Sequence, residues 1–268
     1  MKKYRILVTI IIAMGIILIG TANPVTNIYK STNLINKAIN KNKNNTEDNK
    51  SLLICIDPGH QEKGDSNPEA VAPGSSQTKA RVSSGATGIA TKKPEYILNL
   101  EASTVLKHIL EGKGYRVVMT RETNDVNISN AERARLANEK NADMVIRIHA
   151  DSLDNSSKTG ASVLVPAKES KYTSNIYEKS NKCAQYVQEQ MKKSGIEVNG
   201  IFERGDLTGF NWSKVPVILV EMGFLSNYNE DQMMSNPDYQ RKLMQSIADG
   251  IEQCFINPTA KKSNENGL

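Results

Sequence analysis

Histidine is scarce in this 268-residue chain: there are three, His60, His108 and His149. Tryptophan occurs once, phenylalanine four times and cysteine three times. Any imidazole chemistry is therefore narrowed to a few named positions. Cys55, Cys183 and Cys254 show no CxxC spacing and cannot all pair, so the sequence predicts no disulfide framework. Cys55 stands in an apolar run and reads as a small buried hydrophobe, and all three cysteines read as structural. A strong excess of charge of one sign is also missing. The formal net charge is +5, of which three positives fall on Lys2, Lys3 and Arg5, leaving +2 for the rest. That balance speaks against a nucleic-acid partner and suits, mildly, an anionic wall or membrane surface.

Long apolar runs are lacking except at the start. Ile6–Ile19 is apolar, follows a basic segment and precedes Gly20-Thr21-Ala22. A charged n-region, an h-region and a small-x-small site together make a secretory signal peptide. The run is shorter than the ~20 residues of a spanning helix. Residues 1–22 are thus expected to be a cleaved leader or a retained membrane anchor, and either outcome places the remainder outside the cytoplasm. Residues 23–50 are rich in Asn, Lys and Thr and too poor in large apolars to fold, so they read as a flexible linker.

From Leu52 onward the chain has the makings of a core. It is 38% hydrophobic and 24% charged over its whole length, as a soluble globular protein is, and that length allows one sizeable domain or at most two small ones. Strand patterns at Leu52–Ile56, Arg116–Thr120, Met144–His149, Ala161–Val165 and Val217–Glu221 alternate with helical patterns at Leu98–Lys113, Ile128–Lys140, Asn175–Lys193 and Pro237–Phe255. The expectation is a single α/β domain over 51–256: a mostly parallel twisted sheet with helices on both faces, followed by a polar tail at 257–268. In such sheets sites form at the carboxyl ends of strands. His60, His149 and Glu221 all fall there. The stretch Gln61–Lys93, rich in Gly, Ser and Thr, reads as a long loop that shapes a groove, closes as a lid or simply lies on the surface.

Several of these residues could carry chemistry. His60 in Ile-Asp-Pro-Gly-His and His149 in Ile-Arg-Ile-His-Ala-Asp each read equally as metal ligands or as hydrogen-bonded core histidines. His108 sits mid-helix without a partner motif and reads as structural or surface. A hydrolytic zinc site needs three protein ligands and an open position for water, and two histidines with one carboxylate are a common set. Glu95 is the carboxylate candidate, ahead of Glu101. Its plainer reading is a first-turn glutamate favouring the helix dipole. Glu221 ends the apolar run Val217–Val220, where a carboxylate is costly without a partner or a role to play.

Taken together, the segments from about Leu52 to Phe255 resemble the zinc-dependent N-acetylmuramoyl-L-alanine amidases of the type-3 amidase family. Asp57-Pro58-Gly59-His60, Glu95 with Asn99-Leu100, Gly114–Arg121, Arg133 with Ala137-Asn138, Ile148-His149-Ala150 and Val220–Asn227 occur in the family's order. The resemblance implies Zn2+ held by His60, Glu95 and His149, and Glu221 as general base and then acid. The substrate it implies is peptidoglycan, cut at the lactyl–alanine amide. Asp57, Arg147 and Asn227 are carried as ligand-orienting or substrate-binding candidates. Three departures stand out. Gln61-Glu62 replaces the family's glycine pair, the 61–93 loop is long, and Arg147 stands where a small polar residue is usual. Arg147 shares the strand face of His149 and is expected to pair with a carboxylate such as Asp57 or to meet a stem-peptide carboxylate. The short segment from Asp151 to Ser174 leaves no room for the autoinhibitory helix of some relatives. Two other functions compete: a zinc stem-peptide carboxypeptidase, and a wall-binding protein that needs an activating partner to load metal.

Overall fold

The computed structural model describes residues 52–256. The leader, the linker and the tail read from the sequence lie outside the described residues. The strands are β1 (Leu53–Pro58), β2 (Asp65–Ala70), β3 (Thr78–Val82), β4 (Arg116–Met119), β5 (Met144–Asp151), β6 (Ala161–Pro166), β7 (Val198–Arg204) and β8 (Val217–Phe224). The helices are α1 (Glu95–Gly112), α2 (Asn130–Glu139), α3 (Ser174–Lys193), α4 (Thr208–Asn211), α5 (Tyr228–Met234) and α6 (Pro237–Ile256).

Six strands form one sheet in the order β4-β1-β5-β8-β6-β7. The β4-β1-β5-β8 block is parallel, β6 runs antiparallel to β8, and β7 runs parallel to β6. Strand alternation divides the apolar residues between two cores. Ile54, Ile56, Ile146, Ile148, Ile218 and Val220 pack with α1, α3 and α6. Leu53, Cys55, Val145 and Leu219 pack on the other face with Ala137 of α2 and Phe210 of α4. Helices thus cover both faces of a mostly parallel sheet. Between Asp151 and Ser174 the chain holds β6 and turns, with no helix. No helix among the described residues is long and apolar enough to cross a membrane.

Three elements depart from the sequence reading. The stretch 61–93 is no plain loop: β2 and β3 pair antiparallel as a hairpin. Glu69 accepts from Ala131 N at 3.1 Å and Ser129 Oγ, and Arg81 meets Glu132 at 2.9 Å, so the hairpin is pinned to the start of α2. Its strands are polar and mostly exposed, so they carry no apolar alternation to read. β7 (VNGIFER) was missed for a related reason. Gly200 interrupts its few apolar residues, and the strand is recognisable only by its pairing along β6.

The third correction concerns cysteine. Cys183 and Cys254 form a disulfide, with Cα atoms 5.1 Å apart, while Cys55 is free and buried. Their separation of 71 residues carries no pairing signal. The bridge follows from packing: α3 and α6 lie against each other, and Gly250 lets the helices close until a Cβ there would stand 2.4 Å from Val187 Cα. Cys183 and Cys254 sit one turn further along the same contact. Reduction should lower the unfolding free energy by about 2–4 kcal/mol, measured by urea unfolding with and without dithiothreitol. An unchanged midpoint would argue that the bridge adds nothing.

Candidate metal and catalytic site

Four segments of the sheet and its first long helix bring the site together. β1 ends in Asp57-Pro58 and leads into Gly59-His60, β5 carries Arg147 and His149, β8 carries Glu221, and α1 opens with Glu95. Asp57 pairs in register with Arg147, and His149 with Glu221. Alternation puts Asp57, Arg147, His149 and Glu221 on the α2 face of the sheet, opposite Ile56, Ile148 and Val220.

The turn after β1 is shaped for its imidazole. His60 has φ +61, in the left-handed region that non-glycine residues rarely occupy. Strain of this kind persists only where surroundings enforce it. Gly59 is required by a close approach, since a Cβ there would lie 2.2 Å from the His149 ring. His60 Nδ1 lies 3.0 Å from Ser83 O and 2.9 Å from Ser83 Oγ. A carbonyl only accepts, so Nδ1 carries a proton toward Ser83 and Nε2 is the nitrogen turned inward to Glu95.

His60 Nε2 lies 3.1 Å from Glu95 Oε1, and His149 Nδ1 lies 3.3 Å from the same atom. The two rings meet edge-on with centroids 4.8 Å apart. Glu95 also accepts from Ala86 N at 2.9 Å, and from Asn99 Nδ2 and Ala150 N at 3.2 Å. Burial would raise its carboxyl, but the bonds to His149 and His60 outweigh it and hold the group well below the usual range. Burial lowers His149 to about 4, so this imidazole is neutral near pH 7. Its Nε2 is buried without a hydrogen-bond partner. Glu221 Oε2 is likewise buried and unpartnered. Burial, then the charges of Glu95 and Asp151, push the Glu221 carboxyl well above its ordinary value.

The residues present fit a metal ion. One ligand atom each from His60, Glu95 and His149 lies within 4.8 Å of the others. Two imidazoles, one of them with an orphaned buried nitrogen, and one ionised carboxylate are the donors a zinc-type ion takes while keeping a position open.

A second layer holds this turn still. Asp57 is 1% exposed and meets Arg133 at 2.8 Å, Arg147 at 2.7 Å and Thr120 Oγ1 at 2.6 Å. Burial would raise its carboxyl, but the two guanidiniums draw it far below 3.8. Arg121 donates to the Pro58 and Gly59 carbonyls, and Arg133 to those of Pro58 and His60. Gln61, one of the family departures, is buried and accepts from Ile128 N and Arg133. The expected Arg147–Asp57 pair is thus present. Asn227 is engaged elsewhere. Its oxygen accepts from Asn229 N and Glu230 N to cap α5, and its nitrogen donates to Ser156 O. His108 and Glu101 lie on the surface, away from the ligands.

Sequence reasoning missed the contribution of the segment after β3. Ser83 holds His60, and Ala86 N holds Glu95. Gly85, at φ +83, passes so close that a Cβ would stand 2.6 Å from Glu95 Oε2. The only signal for it was a glycine in an otherwise polar stretch.

Fold and donor set together define the class: a hydrolytic α/β domain with a His/Glu/His trio able to hold a metal ion. Residues 54–253 match the profile of the N-acetylmuramoyl-L-alanine amidase family, and the chain belongs to that family. It is 26% identical over 208 residues to N-acetylmuramoyl-L-alanine amidase Rv3717 of Mycobacterium tuberculosis, covering 75% of this chain and 85% of that protein. It is also 26% identical over 246 residues to N-acetylmuramoyl-L-alanine amidase AmiC of Neisseria meningitidis, covering 78% of this chain and 54% of AmiC, so it spans about half the length of that relative. Among solved structures, the apo N-acetylmuramyl-L-alanine amidase Ami1 of Mycobacterium abscessus superposes with a TM-score of 0.70 at 25% identity, over 76% of this chain and 98% of that one.

Two outcomes are expected from this geometry. Asp57→Asn should destabilise the fold by about 3–5 kcal/mol, because it leaves two buried guanidiniums short of their countercharge. The Asp57 carboxyl titrates below its ordinary 3.8 in the folded chain. Its stabilisation is therefore complete above that pH and drains away as pH falls further, so the gap between wild type and variant should narrow in acid. Denaturant unfolding between pH 7 and pH 3 reads both. Gly59→Ala should push the His149 ring aside and weaken metal binding about 10–100-fold with the circular dichroism spectrum unchanged. Unaltered affinity in a zinc titration would remove His149 from the ligand set.

Proposed function

We propose that this chain hydrolyses the amide between the lactyl group of N-acetylmuramic acid and L-alanine in peptidoglycan. The observation that carries the reading is the convergence of His60, Glu95 and His149 beside Glu221, the last in strand register with His149. His60, Glu95 and His149 would hold the ion, and zinc suits two imidazoles and a carboxylate. When bound, the ion supplies a Lewis acid for the scissile carbonyl and lowers the pKa of water.

The chain's own groups do the rest. Ser83 fixes the His60 tautomer and Asn99 orients Glu95. Asp57, clamped by Arg133 and Arg147, anchors the turn that presents His60. Glu221 takes the proton of the attacking water and delivers it to the alanine nitrogen as the C–N bond breaks, leaving a lactyl carboxylate and a free stem-peptide amine. Its raised proton affinity suits both halves of that transfer, and a cation among the neighbouring ligands would lower it again.

Because peptidoglycan lies outside the cytoplasm, the substrate and the N-terminal sequence pattern support the same location. We infer that the domain is exported, with residues 1–22 removed or kept as an anchor. A stem-peptide carboxypeptidase would use similar ligands, and the products separate the two.

Glu221→Gln should cut kcat by about 10²–10⁴ and keep its metal, whereas His149→Ala should lose metal and activity together. Digests of purified peptidoglycan analysed by mass spectrometry, with metal measured in the same preparations, test this. Release of terminal D-alanine in place of intact stem peptides would sink the amidase reading. Less than one zinc per chain in pure, inactive protein would favour loading by a partner.

A further inference from the structure

The α2 face of the sheet continues past Glu221 toward the β7 edge. Ser162 of β6 stands opposite Glu221, and Gly200 of β7 stands opposite Ser162. Leu164, next on that face of β6, pairs with Phe202, and Pro166 with Arg204. Ile201 packs into the core on the opposite face, so alternation turns Gly200, Phe202 and Arg204 to the side of the site. There the cover thins. Phe202 is 47% exposed, and its ring lies over Gly200, with Cζ 3.2 Å from where a Cβ would stand.

Arg204 is fixed in place. Its Nε and Nη2 meet the two oxygens of Asp206 at 2.7 and 2.8 Å. Lys79 of the β2–β3 hairpin reaches the same carboxylate at 3.3 Å and Asp206 O at 2.8 Å. Two cations thus share this one carboxylate. The Arg204 guanidinium also acts on Glu221, opposing the rise in its proton affinity. Bonding to Asp206, and then the charges of Glu221 and Asp151, hold its own proton more tightly.

The substrate offers a matching group. N-acetylmuramic acid has its carboxyl tied up in the scissile amide, so the glycan side is neutral there. On the stem side, the second residue is a D-glutamate joined through its γ-carboxyl, which leaves the α-carboxyl free or amidated. Two strand spacings separate Glu221 from Gly200, about 10 Å, and Arg204 lies four residues further along β7, about 13 Å, so the backbones of Glu221 and Arg204 stand about 16 Å apart. Two extended stem residues span about 7 Å, and an extended arginine side chain with its hydrogen bond to the carboxylate covers the rest.

We propose that Phe202 and Arg204 on the β7 edge form the stem-peptide subsite, with the Nη1 edge of Arg204 taking the α-carboxylate of the second stem residue and Phe202 covering its aliphatic part. Asp206 and Lys79 position the guanidinium. Arg204 thereby sets a preference for acidic over amidated stems. This assignment rests on the amidase reading above.

The test uses two synthetic muramoyl-peptides that differ only in D-glutamate against D-isoglutamine at the second position. The wild type should favour the acidic stem. Arg204→Gln should raise KM for that stem about 10–100-fold, the worth of a charged hydrogen-bonded pair, and raise it far less for the amidated stem. Arg204→Lys should restore part of the loss. Equal effects on both stems, or on neither, would overturn the subsite. If the wild type cleaves neither peptide, the amidase reading fails instead. Equilibrium binding of both peptides to Glu221→Gln, with and without Arg204→Gln, then still decides the subsite: loss of acidic preference sustains it, and equal binding overturns it.

Discussion

The structure depends on one buried ion cluster. Asp57 lies near the end of a central strand, between Arg133 and Arg147, with almost no solvent contact. Buried charges of this kind are expensive to desolvate and rarely add net stability over an apolar alternative. What the cluster contributes is position. Arg133 also binds the carbonyls of Pro58 and His60, and Arg121 takes those of Pro58 and Gly59. The turn that holds His60 at positive φ is thereby fixed from below by three guanidiniums and one carboxylate.

The site is built from above by a different element. The β2–β3 hairpin is polar and contributes little to either core, yet its exit segment supplies Ser83 to His60 and Ala86 to Glu95. Pinning by Glu69 and Arg81 to the α2 N-terminus makes that segment a fixed wall. The metal-competent trio is therefore held between a charged floor under the sheet edge and a hairpin roof. Glu221 enters from the neighbouring strand with one carboxylate oxygen buried and unpartnered. Burial and the charges of Glu95 and Asp151 raise the proton affinity of that carboxylate, and perturbed groups of this kind cluster at functional sites.

The parts that were legible in the sequence share a cause. The central strands are short apolar runs ended by turn residues, and their helices carry 3.6-residue periodicity, so both announce themselves locally. His60, His149 and Glu221 were found because each closes such a strand, and Glu95 because its motif order matched a family. Strand alternation placed Arg147 on the face of His149 and left two partners for it, Asp57 or a stem-peptide carboxylate; the structure shows the pair with Asp57. The hairpin, β7 and the cysteine bridge were not legible, because each depends on a partner distant in sequence. A polar edge strand is defined by the strand it pairs with, and a disulfide by the helix that packs against its own. Asn227 shows the reverse case: it sits in a motif read for function, while its side chain serves a helix cap.

The sequence by itself thus determined the α/β class, the order of the central elements and which few residues could bind a metal, because periodicity, turn chemistry and residue type are local properties. Only the tertiary structure decided which nitrogen of His60 faces inward, why Gly59 and Gly85 must lack a side chain, and that a Glu221 oxygen is left unpaired. Those outcomes depend on distances between segments far apart in the chain, and no spacing along the sequence encodes them.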